Sequence, residues 1–178
     1  MISLIKHILV LFVLLSLQLA VVPFLPGEMS SLNVILVVTV FVCLVYRFSL
    51  GIAYAIFLGV VLDLLSAAHF GVVMITLLMT LYVVYLIFNH LLTNKSVYTL
   101  IGLTIIASFV YNIIFFIYKA MMYFLATKDV QILKQVMSFG FNDMLWQILF
   151  NSLLVIILFI VSHASSQRFK AVFIDTTR

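Results

Sequence analysis

FSLGIAYAIFLGVVLDLLSAAHFGVV, from Phe48 to Val73, contains a single charged side chain, Asp63, and its reading decides what kind of chain this is. At about 1.5 Å per residue, Phe48 to Leu65 makes a helix of roughly 27 Å, near the ~30 Å thickness of a bilayer's hydrocarbon core. The rest of the chain extends the pattern. Of 178 residues, 67% are hydrophobic and 8% charged, with a mean hydropathy of +1.40, whereas soluble domains run nearer ~45–50% apolar and ~25% charged. Nine Lys and Arg with five Asp and Glu cannot supply the polar cover that a water-exposed surface needs. The composition therefore excludes soluble enzymes, disulfide scaffolds, disordered tails and nucleic-acid-binding modules. The formal charge of +4 is spread over single positions and forms no basic stripe. Cys43, the one cysteine, leaves no internal disulfide and no multi-cysteine metal site, and inside its apolar run it reads as a small buried hydrophobe.

Because a charge near the bilayer centre costs roughly 2.5–3.5 kcal/mol, the charge-free gaps outline the spans. They predict an all-α integral membrane protein, a single membrane domain over 1–178, with six spans at about 8–22, 32–46, 48–65, 70–92, 97–122 and 144–163. The first is read as a retained span, since no small-x-small cleavage site follows it. The 31 residues from Leu64 to Asn94 would make a helix of about 46 Å, too long for one crossing. SAAHFG, Ser66 to Gly71, is where that stretch is expected to break. Lys6, Arg47, Lys95, Arg168, Lys170 and Arg178 share one side, against Lys119, Lys128 and Lys134 on the other, so both termini are expected in the cytoplasm. A re-entrant hairpin with Arg47 at its tip is the alternative for spans two and three, and it leaves the later orientation unchanged. Between spans five and six, Ile132, Val136 and Phe139 recur at helical spacing, which predicts an outer amphipathic segment over about 128–140. Trp146 and Tyr123 flank it as interfacial anchors.

Chemistry inside a membrane needs polar groups assembled at depth. His7, His69, His90 and His163 stand singly, mostly near span ends, and no HExxH, GxSxG or Walker-type pattern occurs. No catalytic residue, metal site or cofactor is expected. Gln18, Asn33, Asn112, Gln147 and Asn151 are expected to hydrogen-bond between helices, at ~0.6 kcal/mol each. One constellation differs. Gly51, Ala55, Gly59 and Asp63 recur every four residues and so follow one helix face, three small residues leading to a carboxyl group. Such a stripe lets another backbone approach closely, either a neighbouring helix of the bundle or a partner. Asp63 lies sixteen residues beyond Arg47, about 24 Å along the helix. It is expected either to serve Ser66 or the amides of the break as a cap, or to contact a partner or substrate. As a cap it should tolerate Asn, since an amide still accepts a hydrogen bond, and should not tolerate Leu.

A Gln late in the first helix, an Asn at the start of the second in SLNVILVV, and then Gly51, Gly59, Asp63, Ser66 and Gly71 in GIAYAIFLGVVLDLLSAAHFGVV form an ordered set. In that order, from about Leu9 to His90, the chain resembles the rod shape-determining MreD family of bacterial inner membranes. It departs by lacking a proline before Asn33 and by having Ala67 to His69 where the family often shows Gly and Pro. The resemblance implies a non-catalytic, multi-pass scaffold of the cell-elongation machinery that guides peptidoglycan synthesis. It implies a single-span partner of the MreC type, with MreB, RodA and a penicillin-binding synthase nearby. It also implies a helical fold similar to the S-components of energy-coupling-factor transporters. That similarity supplies the alternative function, a substrate-binding membrane component of a small-solute, vitamin-type transporter.

The charge distribution generates a test of topology. In a Cys43→Ala background, cysteines at Ser96 and Ser166 should be protected from an impermeant thiol reagent in intact cells, and one at Ser30 should be labelled. Labelling at Ser96 without permeabilisation would reverse the orientation.

Overall fold

The computed structural model describes residues 2–66, 69–91, 96–127 and 130–165, with side chains over 7–66, 69–90, 96–122 and 141–162. Among the described residues every regular element is helical: α1 (Ile2–Ser16), α2 (Val34–Val45), α3 (Phe48–Leu65), α4 (Val72–Leu91), α5 (Val97–Thr127) and α6 (Val130–Ser165). Between α1 and α2 the chain makes a π turn, Leu17–Val21, and 3-10 turns at Val22–Phe24 and Gly27–Ser31. Five stretches are long and apolar enough to cross a membrane: His7–Phe24, Phe48–Leu65, Val72–His90, Val97–Met122 and Phe141–Ser162. The chain is a multi-pass membrane protein. The side chains of the expected amphipathic segment, and Tyr123, lie outside the described residues, while the backbone from Val130 runs as one helix into the last apolar stretch.

α2 is the exception in length. Its 12 residues make a helix of roughly 18 Å, shorter than the hydrocarbon core. It sits in the middle of the bundle, packed against α1, α3, α4, α5 and α6, and Val34 to Phe41, Cys43 and Leu44 are all buried. That is the position a helix apolar on every face demands. Ile35, Leu36, Val37 and Val40 form the core with Leu58 of α3, Leu77 and Leu81 of α4, Leu103 of α5 and Val155 of α6. The outer helices turn Phe12, Ile117, Met121, Ile157 and Ile160 outward. Lipid tails are as apolar as these side chains, so sequestering them from lipid gains little and close packing and polar bonds must hold the helices together.

A helix that starts inside the bundle needs partners for its first N–H groups, which no water can satisfy there. α2 receives them from three sources. Asn33 caps it, its Oδ1 accepting from the Leu36 amide at 3.0 Å. Gln18, in the π turn, accepts from the Val34 amide at 2.8 Å and donates to the Leu32 carbonyl at 3.4 Å. Asn151 of α6 accepts from the Asn33 amide at 3.0 Å. Asn151 is itself held by donating to Ser108 Oγ at 2.9 Å. Asn112 ties α5 to α6, donating to the Ser108 carbonyl at 2.7 Å and to Gln147 Oε1. Thus carboxamides from the π turn and from α6 meet one helix start, and Asn112 and Gln147 join the two helices α5 and α6. Among the described residues no buried side-chain nitrogen or oxygen lacks a partner.

Asn151 is wholly buried, and replacing it strands both the Asn33 amide and the Ser108 hydroxyl. Asn151→Ala should lower stability by about 1–3 kcal/mol, the cost of buried polar groups left unmatched, read as a fall in thermal midpoint in detergent. Ser152→Ala, which loses only a bond back to its own helix at 2.7 Å, should stay within about 0.5 kcal/mol. Equal midpoints for N151A and the parent protein would remove this network from the account of stability.

Candidate functional site at the α3–α4 break

Gly51, Ala55, Gly59 and Asp63 are all buried on α3. The two glycines meet different neighbours. A Cβ built on Gly51 would lie 2.6 Å from Cys43 Cβ and 2.8 Å from Cys43 Cα, so here α3 touches the α2 backbone. A Cβ on Gly59 would lie 2.6 Å from Met74 Cα, so there α3 touches α4. Both glycine surfaces are occupied by helices of the same chain. Ala55, fully buried between them, keeps the face narrow. The short connection through Tyr46 and Arg47 makes α2 and α3 antiparallel neighbours, and Phe48 stacks on Tyr85 of α4 at 3.9 Å between ring centroids.

Close approach at Gly59 brings the end of α3 to the beginning of α4. Asp63, 3% exposed, places Oδ1 at 2.8 Å from the Val73 amide and Oδ2 at 3.0 Å from the Met74 amide. These are amides of the first turn of α4, with no acceptor inside their own helix. Gly71, just before that turn, has a φ of +94°, a conformation most side chains resist, and it carries no side chain with which to cap. Asp63 therefore supplies from another helix the acceptor that an N-terminal Ser, Asp or Asn ordinarily supplies from its own chain, and it places an acidic group at the positive end of the helix dipole.

The break is fixed at two further points. Ser66 ends α3, its amide donating to the Leu62 carbonyl at 2.8 Å and its hydroxyl to the Asp63 carbonyl at 3.4 Å. Ser66 thus bonds the Asp63 backbone, while the side chain of Asp63 serves α4. His69 reaches α5, its Nδ1 hydrogen-bonded to the Tyr118 hydroxyl at 2.7 Å and its amide donating to the same oxygen at 3.3 Å. At the opposite end of α3, His7 is hydrogen-bonded to the Tyr54 hydroxyl at 2.7 Å. Neither histidine–tyrosine pair was legible in the sequence, where the partners stand 49 and 47 positions apart. His90 is exposed, and the His163 side chain lies outside the described residues. Trp146 is 37% exposed and stacks on Phe150 at 5.8 Å.

Chemically, both Asp63 oxygens are engaged by backbone donors in a buried setting. Among the described residues no three His, Cys, Asp or Glu side chains gather where a metal could be held. The site joins helices.

The two-oxygen geometry alters the outcome expected for Asp63→Asn. An amide offers one acceptor and turns an NH2 toward a second N–H, so one of the two α4 amides is stranded, and in Asp63→Leu both are, at about 1–3 kcal/mol per stranded group. Stability and membrane abundance should fall in the order Asp, Asn, Leu. Gly59→Ala should cost about 1–3 kcal/mol by overpacking, whereas Gly102→Ala, where a Cβ meets open space, should be neutral or gain up to ~1 kcal/mol. Equal thermal midpoints for G59A and G102A would contradict the close α3–α4 approach.

Comparison with known proteins adds the family. No match to the chain occurs among curated proteins or among solved structures. The family model described as rod shape-determining protein MreD matches residues 1–164, which extends the likeness well past the Leu9 to His90 stretch and takes in α5 and nearly all of α6. On that match the chain belongs to the rod shape-determining protein MreD family, a non-enzymatic family of membrane proteins that determine cell shape.

Proposed function

We propose that the protein is a non-catalytic scaffold of the bacterial cell-elongation machinery in the cytoplasmic membrane, with both termini in the cytoplasm. It binds a single-span protein of the MreC type and helps to organise peptidoglycan synthesis, in an assembly that includes MreB, RodA and a penicillin-binding synthase. The observation that carries this reading is how the buried polar groups are used. Asp63, Asn151, Gln147 and Ser108, together with the half-buried Asn33, all bond helix to helix or cap a helix start, which suits a rigid support. The bundle's outer faces, rich in large apolar side chains, are where a spanning helix of a partner would lie. The S-component-like arrangement of the helices belongs to the same proposal.

Affinity purification of the full chain in mild detergent tests it. A single-span membrane protein should be recovered in near-equal amount, and depletion of the chain should round rod-shaped cells. Recovery of the chain alone, from cells whose shape survives its depletion, would overturn the scaffold reading.

A further inference from the structure

Charged side chains are scarce in this protein, and their placement is uneven. Apart from histidine, five charged side chains are described: Glu28, Arg47, Asp63, Lys119 and Asp143. Three of the five, Glu28, Lys119 and Asp143, line one crevice of about 360 Å³. It opens where the turns after α1, the start of α2, α5 and α6 meet. Its volume falls in the range of small-molecule sites.

The crevice is graded from rim to floor. Glu28, Lys119 and Asp143 are exposed, Gln18 and Asn112 are half-buried, and Gln147 is buried. The Lys119 ammonium lies 4.9 Å from the centroid of the Phe115 ring, which lines the same space. Gln18 reaches the floor from the π turn Leu17–Val21, and single π turns inside helices recur at functional sites. Two carboxyl groups and one ammonium are complemented by a molecule with two cationic groups and one carboxylate, each able to form a charge-assisted hydrogen bond. The carboxamides below are bonded to the protein and form a fixed floor.

We propose that this crevice is a binding site for a small basic amino acid or a solute of that class. Lys119 receives the ligand's carboxylate, and Glu28 and Asp143 receive its two cationic groups. The rim charges Glu28, Lys119 and Asp143 take no part in the helix-joining bonds that carry the scaffold reading, whereas Asn33 and Gln147 of the lining do.

Calorimetric titration of the full chain in lipid nanodiscs tests the proposal with four probes. L-lysine and L-arginine carry the full charge pattern, L-norleucine lacks the second cation, and cadaverine lacks the carboxylate. Lysine and arginine should bind saturably, about tenfold or more tighter than norleucine or cadaverine. Glu28→Gln and Asp143→Asn should each weaken lysine about tenfold, and Lys119→Gln should abolish the preference for lysine over cadaverine. Because all three side chains are exposed, the thermal midpoints of these variants should match the parent. Absence of saturable lysine and arginine binding up to about 10 mM, equal binding of norleucine, or undiminished lysine binding in all three variants would each overturn the assignment. Cell-shape complementation is scored separately, so failure here leaves the scaffold reading standing.

Discussion

A helix that begins inside a bilayer-sized bundle exposes N–H groups that neither water nor lipid can satisfy, and the architecture depends on how two such beginnings are capped. Unsatisfied backbone groups in that setting cost several kcal/mol each. α2 begins at Val34, and its first amides are met by Asn33, Gln18 and Asn151. α4 begins at Val72, and the amides of Val73 and Met74 are met by Asp63. Except for Asn33, these caps come from a different helix, so each one also fixes where two helices stand relative to one another. A bond that first appears to be local housekeeping thereby becomes a tertiary constraint.

Small residues make those caps reachable. Asp63 can bond α4 because α3 and α4 touch backbone to backbone at Gly59 and Met74, one helical turn before the carboxyl group. Gly51 does the same against Cys43 of α2. The spacing of four residues therefore serves two purposes along one face: closeness first, and then a polar bond that only closeness permits. The central, fully surrounded α2 is the complement of this arrangement. It is short enough to end inside the bundle, and it can do so because its neighbours provide its acceptors.

A buried interior committed to holding helices together suits the proposed role as a support and directs attention to the surfaces that remain. Family membership connects the chain to rod-shape determination. The outer helix faces are apolar, while Glu28, Lys119 and Asp143 stand at the rim of a crevice whose floor, Gln18, Asn112 and Gln147, belongs to the helix-joining network. The crevice thus shares its floor with the packing network, and only its rim charges stand apart from it.

Membrane residence, an all-helical fold and the break between Leu65 and Val72 were legible in the sequence, because apolar length and the cost of charge act locally and need no knowledge of neighbours. The Gly51, Ala55, Gly59 and Asp63 face was legible for the same reason: helical periodicity alone aligns it. Its partners were not, since periodicity says which residues share a face and is silent on what lies opposite. A uniformly apolar chain compounds this, offering lipid and helix neighbours nearly the same surface. So the tertiary structure alone decided that Gly51 meets α2 while Gly59 meets α4, that Asp63 spends both oxygens on α4, and that Gln18 and Asn151 cap a helix remote from each in sequence. The amino-acid sequence determined which groups had to be satisfied away from water, and only the packing of the helices determined which partners could reach them.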